Sequence, residues 1–380
     1  MSNANPRLVA LPASGLRVVQ HRMRPTSLDL SIGQPSLMPD AEPFEAATQW
    51  VREHGCPYPP YNGLPELRSA IASIYGGRHH TKADNVCVTN GSQEAIYLAI
   101  KTLLEPGRDE VLVVNPGYPS YARCCALEGI VCRDVKAHAR DGFRVRAHAL
   151  LDALKPETRM IVLGSPANPS GALLVQDDVD ELARELTNRA GPPVIVVVDE
   201  VYRELTYTAK RYPSMADAYP NTYVVQSMSK ACALTGLRVG FLIGPDDGVS
   251  LATRAHMLML MSVSVFSQRV ALEIVRRPER LRAHVPWYIA QRASMLEAAA
   301  AGDVLIIEPD GAFYTMVRLP ERWHNDSLGA AHALLDEQDV VTVPGFLFGS
   351  QAEGYLRVTW SADPASVREG FARIGRFVQA

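Results

Sequence analysis

A lysine follows a run of apolar residues in the segment Ser227-Met-Ser-Lys230. The run before it, TYVVQ, is typical of a strand that is buried on both faces of a sheet. Burial lowers the pKa of an amine, and the neutral amine can then form an imine with a carbonyl compound. The alternative is a lysine on a solvated loop, and this segment alone does not decide between the two.

Three features near this lysine are suited to a phosphate. The turn Asn90-Gly91-Ser92-Gln93 lies between the apolar run VCVT and a helical pattern. Glycine permits a tight turn, and the free N–H groups at the start of a helix attract anions. Ser227 and Arg238 could also contact a phosphate, the arginine through its planar fork. For the turn, a plain serine N-cap is the alternative.

Asp199 ends another apolar run, VIVVVD. A carboxylate on a strand that is buried on both faces is costly unless it is paired. A protonated ring nitrogen of a cofactor would be a suitable partner. Capping of a helix or loop is an equally simple explanation for this residue on its own.

Apolar runs alternate with helical patterns over residues 43–280, which predicts an α/β domain with a mostly parallel sheet. Ligands bind at the carboxyl ends of such strands, where the polar residues above lie. A long helical stretch at about 268–300 leads to several short strands and a terminal helix. We therefore predict a large domain over 43–280 and a smaller α+β domain formed by 1–42 and 281–380.

The bulk composition fits a soluble globular protein. The 380 residues carry a net charge of -3, with no concentration of Lys and Arg that would indicate nucleic acid or an anionic membrane as a partner. The six cysteines show no spacing suited to zinc or to a disulfide framework. Arg7 and Arg17 interrupt the apolar residues of the N-terminus, so we expect neither a signal peptide nor a membrane span, and a cytoplasmic location.

Taken together, these residues resemble a known family. The segment Ser-x-Ser-Lys, with Thr-Gly-x-Arg-Val-Gly ending ten residues after Lys230, is similar to the attachment motif of the fold-type I aminotransferases that use pyridoxal 5′-phosphate (PLP). The branch is class I/II, related to aspartate aminotransferase. The resemblance extends from about Leu30 to the C-terminus. It implies a seven-stranded, mostly parallel sheet in the large domain, and PLP as cofactor.

The resemblance also implies roles for the residues around the cofactor ring. Lys230 corresponds to the lysine that forms the Schiff base, and Asp199 to the carboxylate that keeps the pyridine nitrogen protonated. Tyr202 and Asn168 match the residues that hydrogen-bond to the phenolic oxygen. Tyr118 matches the aromatic ring that stacks on the cofactor.

Further residues match the phosphate and substrate sites of the family. The phosphate set comprises Gly91, Ser92, Gln93, Ser227 and Arg238. Tyr58 matches a tyrosine that reaches the phosphate of the neighbouring subunit, which implies a homodimer with shared active sites. Gly33 and Arg357 match the elements that bind the α-carboxylate of the substrate, together with Asn168.

The implied activity is transfer of the amino group of an L-α-amino acid to a 2-oxo acid. A PLP-dependent lyase, cyclase or β/γ-replacement enzyme stays open as the alternative, because the same cofactor residues serve those reactions. The chain departs from the family pattern at three positions. The loop from Gly33 to Pro39 is one residue short, Ala231 replaces a frequent threonine, and Phe346 stands where serine or threonine is common.

The Met-rich segment at 257–261 corresponds to a region that relatives place near the partner's pocket. It lacks the arginine with which some relatives bind a side-chain carboxylate. Packing in a helix core or a dimer interface explains its methionines simply. The functional interpretation is a mostly apolar wall of the substrate pocket.

Overall fold

The computed structural model describes residues 4–11, 15–208 and 212–380. Its largest sheet has seven strands in the order β2-β8-β7-β6-β5-β3-β4, and β8 is the one antiparallel member. This confirms the predicted fold class. The strands are β2 (Val86–Thr89), β3 (Glu110–Asn115), β4 (Val131–Lys136), β5 (Thr158–Gly164), β6 (Ile195–Asp199), β7 (Thr222–Ser227) and β8 (Gly240–Ile243).

Helices cover both faces of this sheet, which is why every residue of β6, β7 and β8 is buried. Helices α4, α5 and α9 pack on one face, and α3, α6, α7, α8 and α10 pack on the other. The helices of the large region are α2 (Glu42–His54), α3 (Pro65–Tyr75), α4 (Ser92–Leu103), α5 (Ser120–Glu128), α6 (Ala147–Asp152), α7 (Gln176–Asn188), α8 (Met215–Ala218), α9 (Asp246–Leu260) and α10 (Val265–Val275).

A smaller α+β region contains an antiparallel sheet in the order β12-β13-β10-β9. The N-terminal segment joins this region, because β1 pairs in parallel with β11. Its elements are α1 (Pro6–Ala10), β1 (Leu28–Asp29), α11 (Val285–Ala301), β9 (Ile306–Ile307), β10 (Tyr314–Arg318), α12 (Ser327–Gln338), β11 (Val340–Val341), β12 (Val343–Pro344), β13 (Tyr355–Thr359) and α13 (Pro364–Gln379).

One hydrophobic core connects the two regions. Val201 and Tyr202, which follow β6, belong to the same buried cluster as Phe313, Leu356 and Trp360 of the smaller region. The residues after the carboxyl end of β6 are therefore held from both sides. The division into residues 43–280 against 1–42 and 281–380 stays a prediction.

Within the described ranges, no helix combines the length and the apolar character that crossing a bilayer requires. The cytoplasmic location stays a prediction.

Candidate active site

A cavity of about 380 Å³ opens at the carboxyl ends of the large sheet, next to the smaller region. Strands β2, β3, β5, β6 and β7 all point their carboxyl ends toward it, as expected for a ligand site in a parallel sheet. Ten of the residues predicted from the sequence line it: Gly33, Ser92, Gln93, Tyr118, Asn168, Asp199, Tyr202, Lys230, Arg238 and Arg357.

The amine of Lys230 is buried in this cavity and donates a hydrogen bond of 2.7 Å to the carbonyl oxygen of Gly33. Burial lowers the pKa of Lys230 to about 8, and the charge of Arg357 contributes in the same direction. The rings of Tyr202 and Phe313 lie 5.8 and 5.9 Å from Nζ. The amine thus lies beside two aromatic rings, and its neutral form is more populated near neutral pH than that of a solvated lysine.

Asp199 is the last residue of β6 and is 7% exposed. Its Oδ2 accepts a hydrogen bond of 2.9 Å from the hydroxyl of Tyr121, and its Oδ1 accepts one from the backbone N–H of Val201. Burial raises the pKa of Asp199 to about 6, against the opposing effect of these bonds. A nearby cation would stabilise the ionised carboxylate, so the site is suited to a positively charged partner.

The N-terminus of α4 and Arg238 form a second part of the cavity. Gly91, with φ of 80°, precedes the helix, and a Cβ atom there would lie 2.1 Å from Nη2 of Arg238. Arg238 donates hydrogen bonds to two backbone carbonyls, those of Thr235 and Asn90. This guanidinium has no carboxylate partner in the described part of the chain and lies beside free helix N–H groups, an arrangement that favours a phosphate.

Arg357 lies in the middle of β13 and is 4% exposed. Its guanidinium donates to Oδ1 of Asn168 at 3.0 Å and to the carbonyl oxygen of Ser31 at 2.6 Å. It also stacks 4.3 Å above the ring of Tyr314. Neutral partners leave the positive charge uncompensated, which fits a site for a carboxylate.

Tyr314 links several of these groups. Its hydroxyl is 3.0 Å from the hydroxyl of Tyr202, and both rings are buried. A Cβ atom at Gly33 would lie 2.1 Å from the same Tyr314 hydroxyl. The absence of a side chain at Gly33 therefore allows the loop that accepts the Lys230 hydrogen bond to approach this tyrosine.

Comparison with known proteins agrees with this geometry. The family model of aminotransferase class I and II matches residues 25–374. The chain belongs to this family. Both the predicted family and the predicted enzyme class, aminotransferase, are confirmed.

Named relatives cover almost the whole chain of this aminotransferase. A probable N-acetyl-LL-diaminopimelate aminotransferase of Bacillus subtilis is 30% identical, covering 98% of this chain and 95% of the relative. An aspartate aminotransferase of Streptomyces avermitilis is 32% identical, covering 84% and 81%. The solved structure of aspartate aminotransferase from Thermus thermophilus with maleate superposes with a TM-score of 0.91 at 27% identity, covering 99% and 100%.

Three predicted residues lie outside the cavity lining. Gly91 lies against the guanidinium of Arg238. Ser227 is buried, and its hydroxyl oxygen accepts a hydrogen bond of 3.3 Å from the backbone N–H of Ser229. Tyr58 is 86% exposed at the surface of the aminotransferase. This position is compatible with a contact to a second subunit, and its predicted role stays a prediction.

Of the three departures from the family pattern, the loop from Gly33 to Pro39 lines the cavity through Gly33 and Gln34, whereas the other two side chains lie outside its lining. Ala231 is buried in the core that joins the two regions, and Phe346 is partly exposed and does not line the cavity. In the Met-rich segment, residues 258–261 are 44–82% exposed and also lie outside the cavity lining. Packing in a helix core is therefore wrong for these four residues, and they form no substrate wall within one subunit.

Sequence reasoning missed Tyr121 and Tyr314. Each tyrosine looks like a core aromatic, since Tyr121 lies within the amphipathic helix α5 and Tyr314 within the apolar run GAFYTMV. For Tyr121 the sequence contains one signal, its position three residues after Tyr118. This spacing puts both rings on one side of the turn that enters α5. For Tyr314 the sequence contains no comparable signal.

The lowered pKa of Lys230 is testable in cofactor-free aminotransferase. Acylation of Lys230, followed by mass spectrometry across pH, should show a midpoint near 8, because the neutral amine is the reactive form. Arg357→Gln removes a charge that lowers this pKa, so its midpoint should rise. Arg254→Gln, an exposed change on α9, serves as the control and should leave it unchanged. A midpoint near the ordinary value of 10.5 in the native protein would contradict the described environment.

Proposed function

We propose that this aminotransferase holds PLP at Lys230 and transfers the amino group of an L-α-amino acid to a 2-oxo acid. The observation that carries the proposal is one cavity that contains a buried amine, a buried carboxylate and two arginines with neutral partners. The use of PLP by the class I and II family supports the cofactor. The relatives named for aspartate and N-acetyl-LL-diaminopimelate support an amino-acid substrate.

The residues of the cavity fit PLP group by group. Arg238 and the N-terminus of α4 would hold the phosphate, since no carboxylate in the described chain competes for that guanidinium. Asp199 would hold the ring nitrogen, because its buried carboxylate accepts hydrogen bonds from Tyr121 and Val201 but pairs directly with no cation among the described residues. Tyr202 and Asn168 would bind the phenolic oxygen, and Lys230 would attach the aldehyde carbon.

PLP, when bound, supplies an electron sink for the pair of electrons left when the Cα–H bond of the substrate breaks. Asp199 would keep the ring nitrogen protonated, which would increase that capacity. Lys230, with its pKa lowered to about 8, would be suited to accept the proton from Cα of the substrate and to donate it again.

Arg357 would bind the α-carboxylate of the substrate. Its Nε is buried without a hydrogen-bond partner in the described chain, so one donor is available in addition to those bound by Asn168 and Ser31. The ring of Tyr314 packs against one face of the Arg357 guanidinium. A fixed carboxylate determines which bond at Cα faces Lys230, and this orientation is the contribution of Arg357 to the reaction.

Stoichiometry separates transamination from the lyase or cyclase alternative. With a donor amino acid alone, the pure holoenzyme should release about one equivalent of 2-oxo acid per bound PLP and then stop, because PLP keeps the amino group. Addition of a second 2-oxo acid should restart product formation. Mass spectrometry of the reaction follows both stages across a panel of amino acids. Many turnovers of one amino acid without any 2-oxo acid would refute transamination.

Attachment at Lys230 can be measured directly. Borohydride reduction of the holoenzyme should fix PLP on the peptide that contains Lys230, because that amine is the buried one in the cavity. Lys230→Ala should carry no fixed label while Lys101→Ala, a surface change beside Glu128, should be labelled like the native chain. Label on Lys82 or Lys101 in the native protein would refute the proposed site.

Replacement of Asp199 by Asn removes the charge at the ring nitrogen and keeps the shape. We expect turnover to fall by about 100- to 1,000-fold, as for other lost electrostatic contacts to the reacting system. PLP should still bind through its phosphate, and its absorbance reports this. Asp178→Asn alters a buried carboxylate that caps a remote segment and should leave turnover per folded molecule unchanged. Normal turnover of Asp199→Asn would exclude the assigned role.

The proposal includes a homodimer with shared sites. The Met-rich residues 258–261 are four consecutive exposed apolar side chains, which supports an interface there, and Tyr58 is exposed as well. Sedimentation should give a dimer at working concentrations. Tyr58→Phe should weaken PLP binding by about 1.5–3 kcal/mol, the value of one charge-assisted hydrogen bond to the neighbour's phosphate. Tyr355→Phe, in β13, is the control. A monomer with full activity would contradict the shared site.

A further inference from the structure

A buried acid at the start of α4 has no part in the proposed reaction. Glu94 lies in the first turn of this helix and is 8% exposed. It does not line the cavity, whereas its neighbours Ser92 and Gln93 do. A buried carboxylate is costly unless hydrogen bonds compensate for its burial. The partners of Glu94 therefore indicate what this side chain holds in place.

One oxygen of the carboxylate fixes the turn before the helix. Oε2 of Glu94 accepts a hydrogen bond of 2.5 Å from the backbone N–H of Asn90. The carbonyl oxygen of Asn90 accepts a hydrogen bond of 3.2 Å from Nη2 of Arg238. The next residue, Gly91, has a φ of 80°, and a Cβ atom there would lie 2.1 Å from the same Nη2. The orientation of Asn90 thus sets both the path of the turn and the place of Arg238.

The other oxygen contacts a residue from a distant part of the chain. Oε1 of Glu94 is 2.8 Å from Nδ1 of His256, a fully buried residue of α9. The second ring nitrogen of His256, Nε2, has no hydrogen-bond partner among the described residues. An unpaired buried nitrogen destabilises a fold, so packing of α9 on α4 would be served better by an apolar side chain at 256. The contact with Glu94 is what the imidazole adds to the structure.

An ordinary helix cap would explain only half of this arrangement. A glutamate in the first turn commonly reaches back to an N–H group that precedes its own helix. Such a cap needs no partner from a second helix. Here α9 restricts the carboxylate as well, and a continuous set of hydrogen bonds extends from His256 through Glu94 and Asn90 to Arg238.

We propose that Glu94 and His256 are positioning residues for the phosphate of the cofactor, because they hold the turn at 90–92 and Arg238 in the conformation that binds it. This inference rests on the proposed function, which assigns the phosphate to Arg238 and the N-terminus of α4. The pair acts from behind the turn, since neither residue lines the cavity. Such pre-organisation raises affinity, because the ligand does not have to order the turn when it binds.

Two ligands that differ only in the phosphate test this role. Pyridoxine 5′-phosphate and pyridoxine lack the aldehyde, so neither reacts with Lys230. Their dissociation constants from the full-length, cofactor-free enzyme are measured by fluorescence titration at constant ionic strength, and the ratio of the two reports the contribution of the phosphate. Glu94→Ala should reduce this ratio by roughly 10- to 100-fold, the effect of one lost hydrogen bond to a charged group. The constant for pyridoxine should not change.

Two further variants separate positioning from a general loss of structure. The amide of Glu94→Gln can accept from the N–H of Asn90 and donate to Nδ1 of His256, so it should restore most of the native ratio. His256→Phe keeps a ring at 256 without the contact to Glu94. It should lower the ratio in the same direction as Glu94→Ala but by less, and it provides the measurement if Glu94→Ala does not fold.

Asp178→Ala is the matched control. Its carboxylate is also buried and accepts a hydrogen bond of 3.0 Å from a backbone N–H at the start of a helix, that of Ala147 in α6, and neither residue lines the cavity. The ratio should stay at the native value in this variant.

Three results would overturn the inference. An unchanged ratio in both Glu94→Ala and His256→Phe would do so, and so would an equal loss of affinity for both ligands, while attachment of PLP at Lys230 would stand in either case. If the native enzyme binds pyridoxine 5′-phosphate no more tightly than pyridoxine, the phosphate site of the proposed function fails, and the inference fails with it.

Discussion

Burial of one amine governs the arrangement of this site. Lys230 lies where the large sheet meets the smaller region, and its hydrogen bond to Gly33 joins the two. Three other cations, Arg17, Arg238 and Arg357, line the same cavity, and the charges of Arg357 and Arg238 lower the pKa of Lys230 further. The carboxylate of Asp199 alone opposes this effect within the lining. The excess of positive charge both lowers the pKa of Lys230 and prepares the cavity for anionic ligands, so that reactivity and affinity have the same electrostatic origin.

The parts of the site that follow strands could be predicted from the sequence. Asp199 is the last residue of β6, and Lys230 lies three residues beyond the end of β7, so both are polar residues at the end of a buried apolar run. The glycine turn before α4 has the same property. Because the carboxyl ends of parallel strands share one edge of a sheet, local patterns were sufficient to bring these residues together. The alternation of strands and helices likewise predicted a mostly parallel sheet, and the family resemblance implied its seven strands.

Residues from the smaller region were harder to predict, for a physical reason. Arg357 lies within β13, where its neighbours alternate like those of any half-buried strand, and it was identified only through the family resemblance. In the sequence, Tyr314 cannot be distinguished from an aromatic residue that only fills the core beside strand β10. Arg17 lies in the short 3₁₀ turn Gly15–Arg17, where the sequence shows no hydrophobic periodicity. Its position at the cavity depends on the path of the N-terminal segment across the molecule. Such positions result from long-range packing, which local sequence patterns do not encode.

The close approach of Gly33 to Tyr314 limits which residues can replace either of them during evolution. A Cβ atom at position 33 would lie 2.1 Å from the Tyr314 hydroxyl but 3.2 Å from the ring carbon that carries it. With phenylalanine at 314, an alanine at 33 would therefore require the ring to shift by only a few tenths of an ångström. Since that hydroxyl also contacts Tyr202, the change would remove a contact of a residue that is proposed to bind the cofactor. The two positions are thus expected to covary in descendants of this chain, with the tyrosine replaced before or together with the glycine.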